Sequence, residues 1–254
     1  MNNNFLGWRA SSYDANQYIK SIKSFLSSNE KFENFRQPNG SYNTILEHVN
    51  HSEGLKYAEA IKKFPKSFLN NIENFKKNDS IGNPITYHFE DFGFVNPTTL
   101  RYIKFAGDII NHFSDINNFN LIEIGGGYGG LVRVLSEIYK FKSITMVDLP
   151  ETLNLQEKYL NKFDIKIEKK TVENSFDIET NTLVISNYAW CECDKQTRKQ
   201  YLDKIISKAK YSFMAIHDVN VQVLIDELMQ EDPKAKFFKD VIHNTPVYIK
   251  NENI

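Results

Sequence analysis

Five glycines lie within six positions, from Gly125 to Gly130, directly after a short apolar run that contains one acid, Glu123. Glycine lets the chain turn sharply between a strand and a helix, and it lets a ligand lie against bare main chain near the positive helix end. Gly125, Gly127 and Gly130 match the G-x-G-x-x-G turn of dinucleotide-binding proteins. Glu123 followed by Gly125, Gly127 and Gly129 matches the acidic-x-G-x-G-x-G turn of S-adenosylmethionine (SAM) methyltransferases.

The acid at position 123 favours the second pattern. In a nicotinamide-binding strand this position is normally apolar, because a carboxylate there would repel the diphosphate. SAM carries an ammonium group and a cationic sulfur, so a carboxylate at the strand end attracts it. A charge in an otherwise apolar strand also costs free energy unless it has a partner. The turn therefore predicts SAM as the cofactor, with a dinucleotide or a purely structural turn as the alternatives.

Asp148 ends the next predicted strand, in KSITMVDLP. A carboxylate there can accept hydrogen bonds from the two hydroxyls of a ribose, which both cofactor classes contain. Asp148 is therefore a predicted cofactor-binding residue that does not choose between them. The alternative is a cap for the helix that begins at Pro150.

His217 and Asp218 stand at the end of the fifth predicted strand. Either residue suits the base that removes a proton from an alcohol, and both also suit a divalent cation, together with Glu192 and Asp194. Adjacent residues of an extended chain point to opposite faces, which argues against both serving one site. Metal dependence stays open.

The segment NPTTLRY suits a helix start. Two hydroxyls, exposed amide groups and a guanidinium make an anion site, so we expect Thr98, Thr99 and Arg101 to bind the carboxylate of SAM. Tyr87 and Tyr102 are expected to close over the cofactor as an aromatic lid. A surface ion pair is the alternative for Arg101.

Hydrophobic spacing predicts two regions. Residues 13 to about 77 show apolar residues three to four positions apart, which predicts a helical N-terminal cap or platform over residues 1–79. In this region His48 and His51 are predicted to share a helical face, and we leave them out of the site. From residue 120 short apolar runs alternate with helical segments, as in βαβ units, so residues 80–254 are predicted to form an α/β catalytic domain.

Six predicted strands position the candidate residues. They are Leu121–Ile124, Ser143–Val147, Ile165–Lys169, Thr182–Ser186, Ser212–His217 and Val247–Lys250. One more strand is expected within residues 220–245, where VQVLIDELMQ is typical of a helix.

Composition narrows the possible partners. The chain has 254 residues, and its 31 basic and 32 acidic side chains nearly cancel without long runs of one sign, which disfavours nucleic-acid or membrane coating. No apolar run reaches signal-peptide or membrane-span length, so we expect a cytoplasmic protein with a small-molecule partner; a homo-oligomer is compatible with the sequence. The only cysteines are Cys191 and Cys193. Because a single residue separates them, a disulfide between them is geometrically unfavourable, and both are expected to be free thiols.

Four segments together resemble one family. EIGGGYGGLVRVL, VDLPETLNLQEKYL, IGNP and NPTTLRYIK are similar to the bacterial sugar O-methyltransferases, a family of the class I SAM-dependent fold, over roughly residues 80 to 217. The resemblance implies a Rossmann-like seven-stranded sheet with helices on both faces and an antiparallel last strand. It also implies SAM at the carboxyl ends of the strands and a sugar hydroxyl as the methyl acceptor, in capsule or lipopolysaccharide biosynthesis.

The resemblance also assigns residues after the fourth strand. Asn187 and Tyr188 occupy the position that lines the methionyl group of SAM in this fold, and Glu192 aligns with an acid of the family. Glu192 is then a base or an acceptor clamp, and a solvated helix-start glutamate is its alternative. We therefore expect a SAM-dependent O-methyltransferase acting on a sugar, and the resemblance implies that this sugar is nucleotide-linked. Another small acceptor, such as an amine or phosphoramidate, and a non-catalytic partner subunit are the alternatives.

Overall fold

The computed structural model describes residues 12–38, 46–113, 115–217 and 220–251. Its strands are β1 Tyr87–Phe89, β2 Gly93–Val95, β3 Asn120–Ile124, β4 Ser143–Val147, β5 Glu168–Lys170, β6 Thr182–Asn187, β7 Tyr211–Ala215, β8 Lys236–Lys239 and β9 Pro246–Asn251. Its helices are α1 Ser12–Leu26, α2 Asn29–Glu33, α3 His51–Ile61, α4 Lys66–Leu69, α5 Ile72–Phe75, α6 Pro97–His112, α7 Gly130–Ser136, α8 Pro150–Leu160, α9 Ala189–Glu192, α10 Lys195–Lys204 and α11 Val221–Glu231.

Within these residues, seven strands form one sheet in the order β5-β4-β3-β6-β7-β9-β8. The pairs from β5 through to β7 are parallel, and β9 runs antiparallel to both of its neighbours. This is the strand order of class I methyltransferases, so the predicted fold class is confirmed. Chain order reverses between β3 and β6, and ligands of open α/β sheets bind beyond the carboxyl ends of the strands at such a point.

The sheet is covered on both faces. Alternate residues of β3 enter different cores: Leu121 belongs to one, whereas Ile122 and Ile124 belong to the other. This alternation follows from the two-residue repeat of a strand. The first core also contains Tyr18 of α1 and Tyr57 of α3, so the N-terminal helices are packed into it. The predicted boundary between residues 79 and 80 stays a prediction.

Most predicted elements occur close to their expected positions. The strand expected within residues 220–245 is β8, and VQVLIDELMQ lies in α11. β5 begins at Glu168 rather than Ile165; it is the edge strand and pairs only with β4. Residues 46–50, predicted as helical, are not in a helix. The Asn50 side chain accepts a hydrogen bond from the Glu53 N–H (3.0 Å) and thereby starts α3 after them.

A buried amide attaches the N-terminal region to the glycine turn. Asn78 is fully buried, its Nδ2 donates to the Gly130 carbonyl (3.1 Å), and its Oδ1 accepts from the Tyr159 hydroxyl (3.0 Å). Its carbonyl accepts from Arg36 Nη1 (2.8 Å), and the Arg36 guanidinium lies 4.6 Å from the Tyr128 ring centroid. The turn is therefore held from the N-terminal side as well as by the sheet. No helix among the described residues has the length and apolar character needed to cross a bilayer.

The amide network gives a stability prediction. Asn78→Ala leaves the Gly130 carbonyl and the Tyr159 hydroxyl without their buried partner, so the free energy of unfolding should fall by about 2–4 kcal/mol. Urea denaturation measures this change. Asn70→Ala, at an exposed asparagine, is the matched control and should change it by less than about 0.5 kcal/mol. Equal effects of the two substitutions would contradict the anchoring role.

Candidate functional site

A cavity of about 570 Å³ opens beyond the carboxyl ends of β3, β4, β6 and β7. The predicted site residues that line it are Arg101, Glu123, Gly125, Gly127, Asp148, Asn187, Tyr188, Glu192 and His217. The sheet topology thus brings together residues that are up to 116 positions apart in the chain, from Arg101 to His217. Four other predicted site residues do not line it: Thr98, Thr99, Tyr87 and Gly129.

The glycine turn forms the floor of the cavity. Gly125 and Gly127 both have positive φ (69° and 58°), which favours glycine. A Cβ on Gly125 would lie 2.0 Å from the Ala189 Cβ, so a side chain cannot fit there. Gly129 (φ 96°) instead begins α7, and a Cβ on it would meet Leu160 at 3.0 Å. Gly129 therefore turns the chain and packs against α8 rather than facing a ligand.

Glu123 is a buried carboxylate beneath this turn. Its exposed fraction is 2%, and its Oε2 makes no hydrogen bond to any described residue. A Cβ on Gly126 would lie 2.6 Å from Oε2, so the missing side chain leaves room for this carboxylate. Burial, followed by the charge of Asp148, raises the pKa of Glu123 to about 8. A cation in the cavity would favour the ionised form and lower that pKa.

Asp148 is fixed at the end of β4. Its Oδ1 accepts from the Leu149 N–H (2.7 Å) and its Oδ2 accepts from Gln156 Nε2 (2.8 Å), while burial raises its pKa to about 7. Gln156 Nε2 also donates to the Gly127 carbonyl (2.9 Å), so one buried amide ties the carboxylate to the turn. The N-cap residue of α8 is Leu149, which makes no side-chain cap bond, so Asp148 is not the cap of this helix.

β6 ends in polar and strained residues. The Asn187 side-chain Nδ2 and Oδ1 are both buried without a hydrogen-bond partner among the described residues. Tyr188 has φ 72°, a conformation that costs a residue with a side chain about 1–3 kcal/mol and that recurs at functional sites. The Tyr188 N–H donates to the Ala215 carbonyl of β7 (3.0 Å), which holds this bend. Asn187 thus offers a donor and an acceptor to a ligand.

Glu192 and His217, predicted separately, meet in the cavity. Their Oε1 and Nε2 atoms are 3.2 Å apart, and their side chains are 39% and 48% exposed. Asp194, the third metal candidate, accepts from the Thr197 N–H (2.8 Å) and caps α10. Asp218 lies outside the described residues. Among the described residues, no group of three or more His, Cys, Asp or Glu is arranged to hold a metal ion.

The expected anion site at the start of α6 is occupied by another part of the chain. Asp79 Oδ2 accepts from the Asn96 N–H (2.7 Å), and its Oδ1 accepts from the Thr99 hydroxyl (2.7 Å). The Asn96 side chain accepts from the Thr98 N–H (2.8 Å). Thr98 and Thr99 are fully buried by this arrangement. The expected clamp of two threonines and an arginine does not assemble, because an internal carboxylate takes the place of the ligand.

Arg101 lies one turn further along α6 and faces the cavity. It is 8% exposed, and no described carboxylate lies within 4 Å of its guanidinium. Its Nη1 is 3.4 Å from His48 Nε2, and its Cζ is 5.6 Å from the Tyr102 ring centroid. The nearby Glu47 carboxylate attracts Arg101 but is paired with Arg36 (2.7 Å), so this position still suits an anionic group of a ligand. His48, which the sequence argument left out, is therefore part of the cavity wall.

The two tyrosines of the expected lid are separated in the structure. Tyr102 is buried and lines the cavity. Tyr87 lies on β1, where its ring centroid is 5.0 Å from that of His51, and it does not face the cavity. A different tyrosine, Tyr18 of α1, also lines the cavity. It is buried and lies near Asp148, which follows β4.

Sequence reasoning missed several residues of the wall. Leu149, Thr171 and Val172 follow β4 and β5 directly, and the rule that ligands bind beyond strand ends would have found them. The sequence prediction ended β5 at Lys169, one residue before its observed end at Lys170. Thr171 was therefore not recognised as the residue that directly follows the strand. Tyr18, Tyr57, His243 and Thr245 come from distant helices and a turn, and no local pattern marks them. Cys191 and Cys193 are free thiols as expected, and Cys193 lines the cavity.

The residues present fit SAM. Glu123 presents an unpaired oxygen to a cation, and Arg101 presents a buried guanidinium to a carboxylate. Asp148 suits a ribose, and the apolar side chains of Leu149 and Val172 suit a flat adenine ring. The methionyl end of SAM has both charges, so this pairing of opposite charges matches it.

Comparisons with known proteins give similar solved structures but no similar sequence. Descriptions of known protein families give no match to the chain, and neither do the curated protein sequences. Among solved structures, a SAM-dependent methyltransferase from Aquifex aeolicus has a TM-score of 0.43 and 16% identity, over 57% of this chain and 88% of that chain. An rRNA methylase from Streptococcus thermophilus has a TM-score of 0.40 and 13% identity, over 52% of this chain and 86% of that chain. These likenesses indicate no substrate for this chain.

The raised pKa of Glu123 gives one prediction for the stability of the ligand-free protein and another for SAM binding. The folded-state pKa of Glu123 is raised, so the free protein loses stability as pH rises from about 4.5 towards 8. Glu123→Gln removes this loss, and the melting temperature of the ligand-free variant should exceed that of the native protein by several degrees at pH 8 but not at pH 4.5. Differential scanning calorimetry measures both.

The same substitution should weaken SAM binding. Native affinity should increase with pH between 6 and 7.5, because the cation binds the ionised carboxylate, and Glu123→Gln should bind more weakly with a shallower pH dependence. Titration calorimetry measures both quantities. An affinity and a pH dependence unchanged by Glu123→Gln would refute the role of this carboxylate.

Proposed function

We propose that the chain is a SAM-dependent O-methyltransferase that methylates a hydroxyl of a nucleotide-linked sugar in the cytoplasm, for capsule or lipopolysaccharide biosynthesis. One observation carries this proposal: a single cavity contains an unpaired buried carboxylate, Glu123, and a hydrogen-bonded pair of a histidine and a glutamate, His217 and Glu192. The first suits a cationic donor, and the second suits an alcohol that must lose a proton. The resemblance of the four sequence segments adds the sugar as acceptor.

The donor half of the cavity binds and orients the cofactor. When bound, SAM supplies a methyl group that its sulfonium already activates for displacement. Glu123 faces the cationic end, Arg101 binds the carboxylate, and Asp148 accepts hydrogen bonds from the ribose. Asn187 adds a donor and an acceptor near the turn. Because displacement at an activated carbon needs mainly alignment, the fixed positions of these groups contribute most of what the donor half supplies.

The His217–Glu192 pair prepares the acceptor. If Nε2–H donates to Glu192 Oε1, which lies 3.2 Å away, the basic atom of the imidazole is Nδ1. Nδ1 then accepts the proton of the acceptor hydroxyl, and Glu192 stabilises the imidazolium that forms. The Tyr188 ring lies 4.9 Å from the His217 ring, edge to face, and limits its rotation. No metal ion is needed for this proton transfer.

The charges of the wall constrain how a nucleotide-linked sugar enters. Arg101 is the one Arg or Lys among the described residues that line the cavity, whereas Glu53, Glu123, Asp148 and Glu192 are acidic. With Arg101 assigned to the cofactor, no second cation is available for a diphosphate. We therefore propose that the neutral sugar ring enters the cavity and that the nucleotide stays outside it.

A substrate screen tests the reaction class. Purified protein with SAM and panels of nucleotide sugars, free glycosides, amines and phosphoramidates should transfer methyl to a sugar, seen by mass spectrometry as a gain of one methylene unit. A gain on a nitrogen acceptor, with every sugar unchanged, would refute the sugar assignment. Absence of calorimetric heat with SAM at high concentration would instead favour a non-catalytic partner subunit.

Removal of the proposed base should affect turnover rather than cofactor binding. His217→Gln should lower kcat by about 10²–10⁴-fold, while the Kd for S-adenosylhomocysteine stays unchanged. His88→Gln, at an exposed histidine on β1, is the matched control. Stopped assays with labelled SAM give kcat, and titration calorimetry gives Kd. Native turnover by His217→Gln would rule out this histidine as the base.

A further inference from the structure

The cavity contains another histidine that the proposed proton transfer does not use. His243 lies in the turn between β8 and β9, and its Nε2 is 2.8 Å from the hydroxyl oxygen of Tyr57 in α3. Both residues line the cavity, as does Thr245 two positions further on. His243 and His217 therefore contact one cavity from different elements, each held by a different hydrogen-bond partner.

The turn that carries His243 is anchored at its backbone. Asp240 Oδ1 accepts from the N–H groups of Ile242 and His243, both at 2.9 Å. The same carboxylate forms an ion pair with Lys104 of α6, and both side chains are almost fully buried. The Asp240 N–H donates to the Thr245 carbonyl (2.8 Å), which closes the turn. The backbone of His243 is thus fixed to α6 although its side chain is exposed.

The hydrogen-bond partner of His243 differs in kind from that of His217. Tyr57 is fully buried, and burial raises the pKa of its phenol, so the group stays neutral at physiological pH. A carboxylate stabilises an imidazolium, as Glu192 can for His217, whereas a neutral phenol does so far less. The Tyr57–His243 pair is therefore suited to holding a hydroxyl by hydrogen bonds, and poorly suited to removing a proton.

Resting on the proposed function, we propose that His243, oriented by Tyr57, hydrogen-bonds a hydroxyl of the acceptor other than the one that receives the methyl group. The acceptor class is then a polyol with at least two nearby hydroxyls, as in a sugar ring, rather than a simple alcohol. In this arrangement His243 contacts the acceptor, and Tyr57 is a positioning residue. The two histidines divide the work: one removes a proton and the other selects the acceptor.

Variants of the pair test this division with the acceptor found in the screen, for example UDP-glucose. Tyr57→Phe removes only the hydroxyl, and His243→Gln keeps a hydrogen-bonding side chain of shorter reach. Each should raise the acceptor KM by about tenfold, change kcat by less than about twofold, and leave the Kd for S-adenosylhomocysteine unchanged. His88→Gln is the control for an exposed histidine outside the cavity, and thermal melting verifies that each variant folds.

Monodeoxy derivatives of the same acceptor identify the hydroxyl that His243 contacts. With the native enzyme, the derivative that lacks the contacted hydroxyl should have a KM about tenfold higher than that of the parent acceptor. His243→Gln should not raise the KM for this derivative any further. Independent, additive losses with every derivative would overturn the inference, as would an unchanged acceptor KM or a fall in kcat alone. The two proposals fail separately. A screen that finds only an amine acceptor refutes the proposed function, whereas a methylated sugar with unaltered KM in both variants refutes this inference alone.

Discussion

The site depends on one electrostatic constraint, a carboxylate buried at the end of the central strand with one oxygen unpaired. Glu123 lies on β3 between β4 and β6, where every residue of the strand is buried. Its neighbours do not neutralise it: Asp148 has the same charge, and Gly126, which lies against its Oε2, has no side chain. The fold therefore maintains a group that is unfavourable without a ligand. Such a group is retained where a cationic ligand supplies the missing interaction, which is how active sites come to be less stable than the rest of a fold.

The N-terminal region is a structural part of this site rather than an appendage. Its buried Asn78 and Arg36 hold the glycine turn from behind. In front of the turn, Tyr18, His48 and Tyr57 supply wall residues to the cavity. Because these contacts involve the same core as the sheet, the position of the acceptor wall relative to the turn is fixed by packing. In the proposed function, the strand ends and the glycine turn form the donor half, and the N-terminal helices contribute to the acceptor half.

Two charged residues and two histidines distinguish different parts of the cavity wall. They are Glu123 and Arg101, and His217 and His243. Glu123 and Arg101 provide the opposite charges that match the methionyl end of SAM. Further along the wall, the carboxylate partner of His217 and the phenol partner of His243 give the two imidazoles different chemistry. In the proposed reaction an identical side chain serves proton transfer in one place and hydrogen bonding in the other, because the neighbouring group decides whether a positive imidazole is stabilised.

The sequence by itself determined the elements and the donor half. Periodicity located six of the seven sheet strands to within three residues at their ends, and the acid-glycine pattern located Glu123, Gly125 and Gly127, because such signals are local in the chain. Only the tertiary structure decided the rest. It placed Asp79 where an anionic ligand was expected at Thr98 and Thr99, and it brought His243 to Tyr57 across 186 positions. Contacts of this kind arise when helices pack and turns are fixed on a sheet, and residue spacing along the chain contains no record of them.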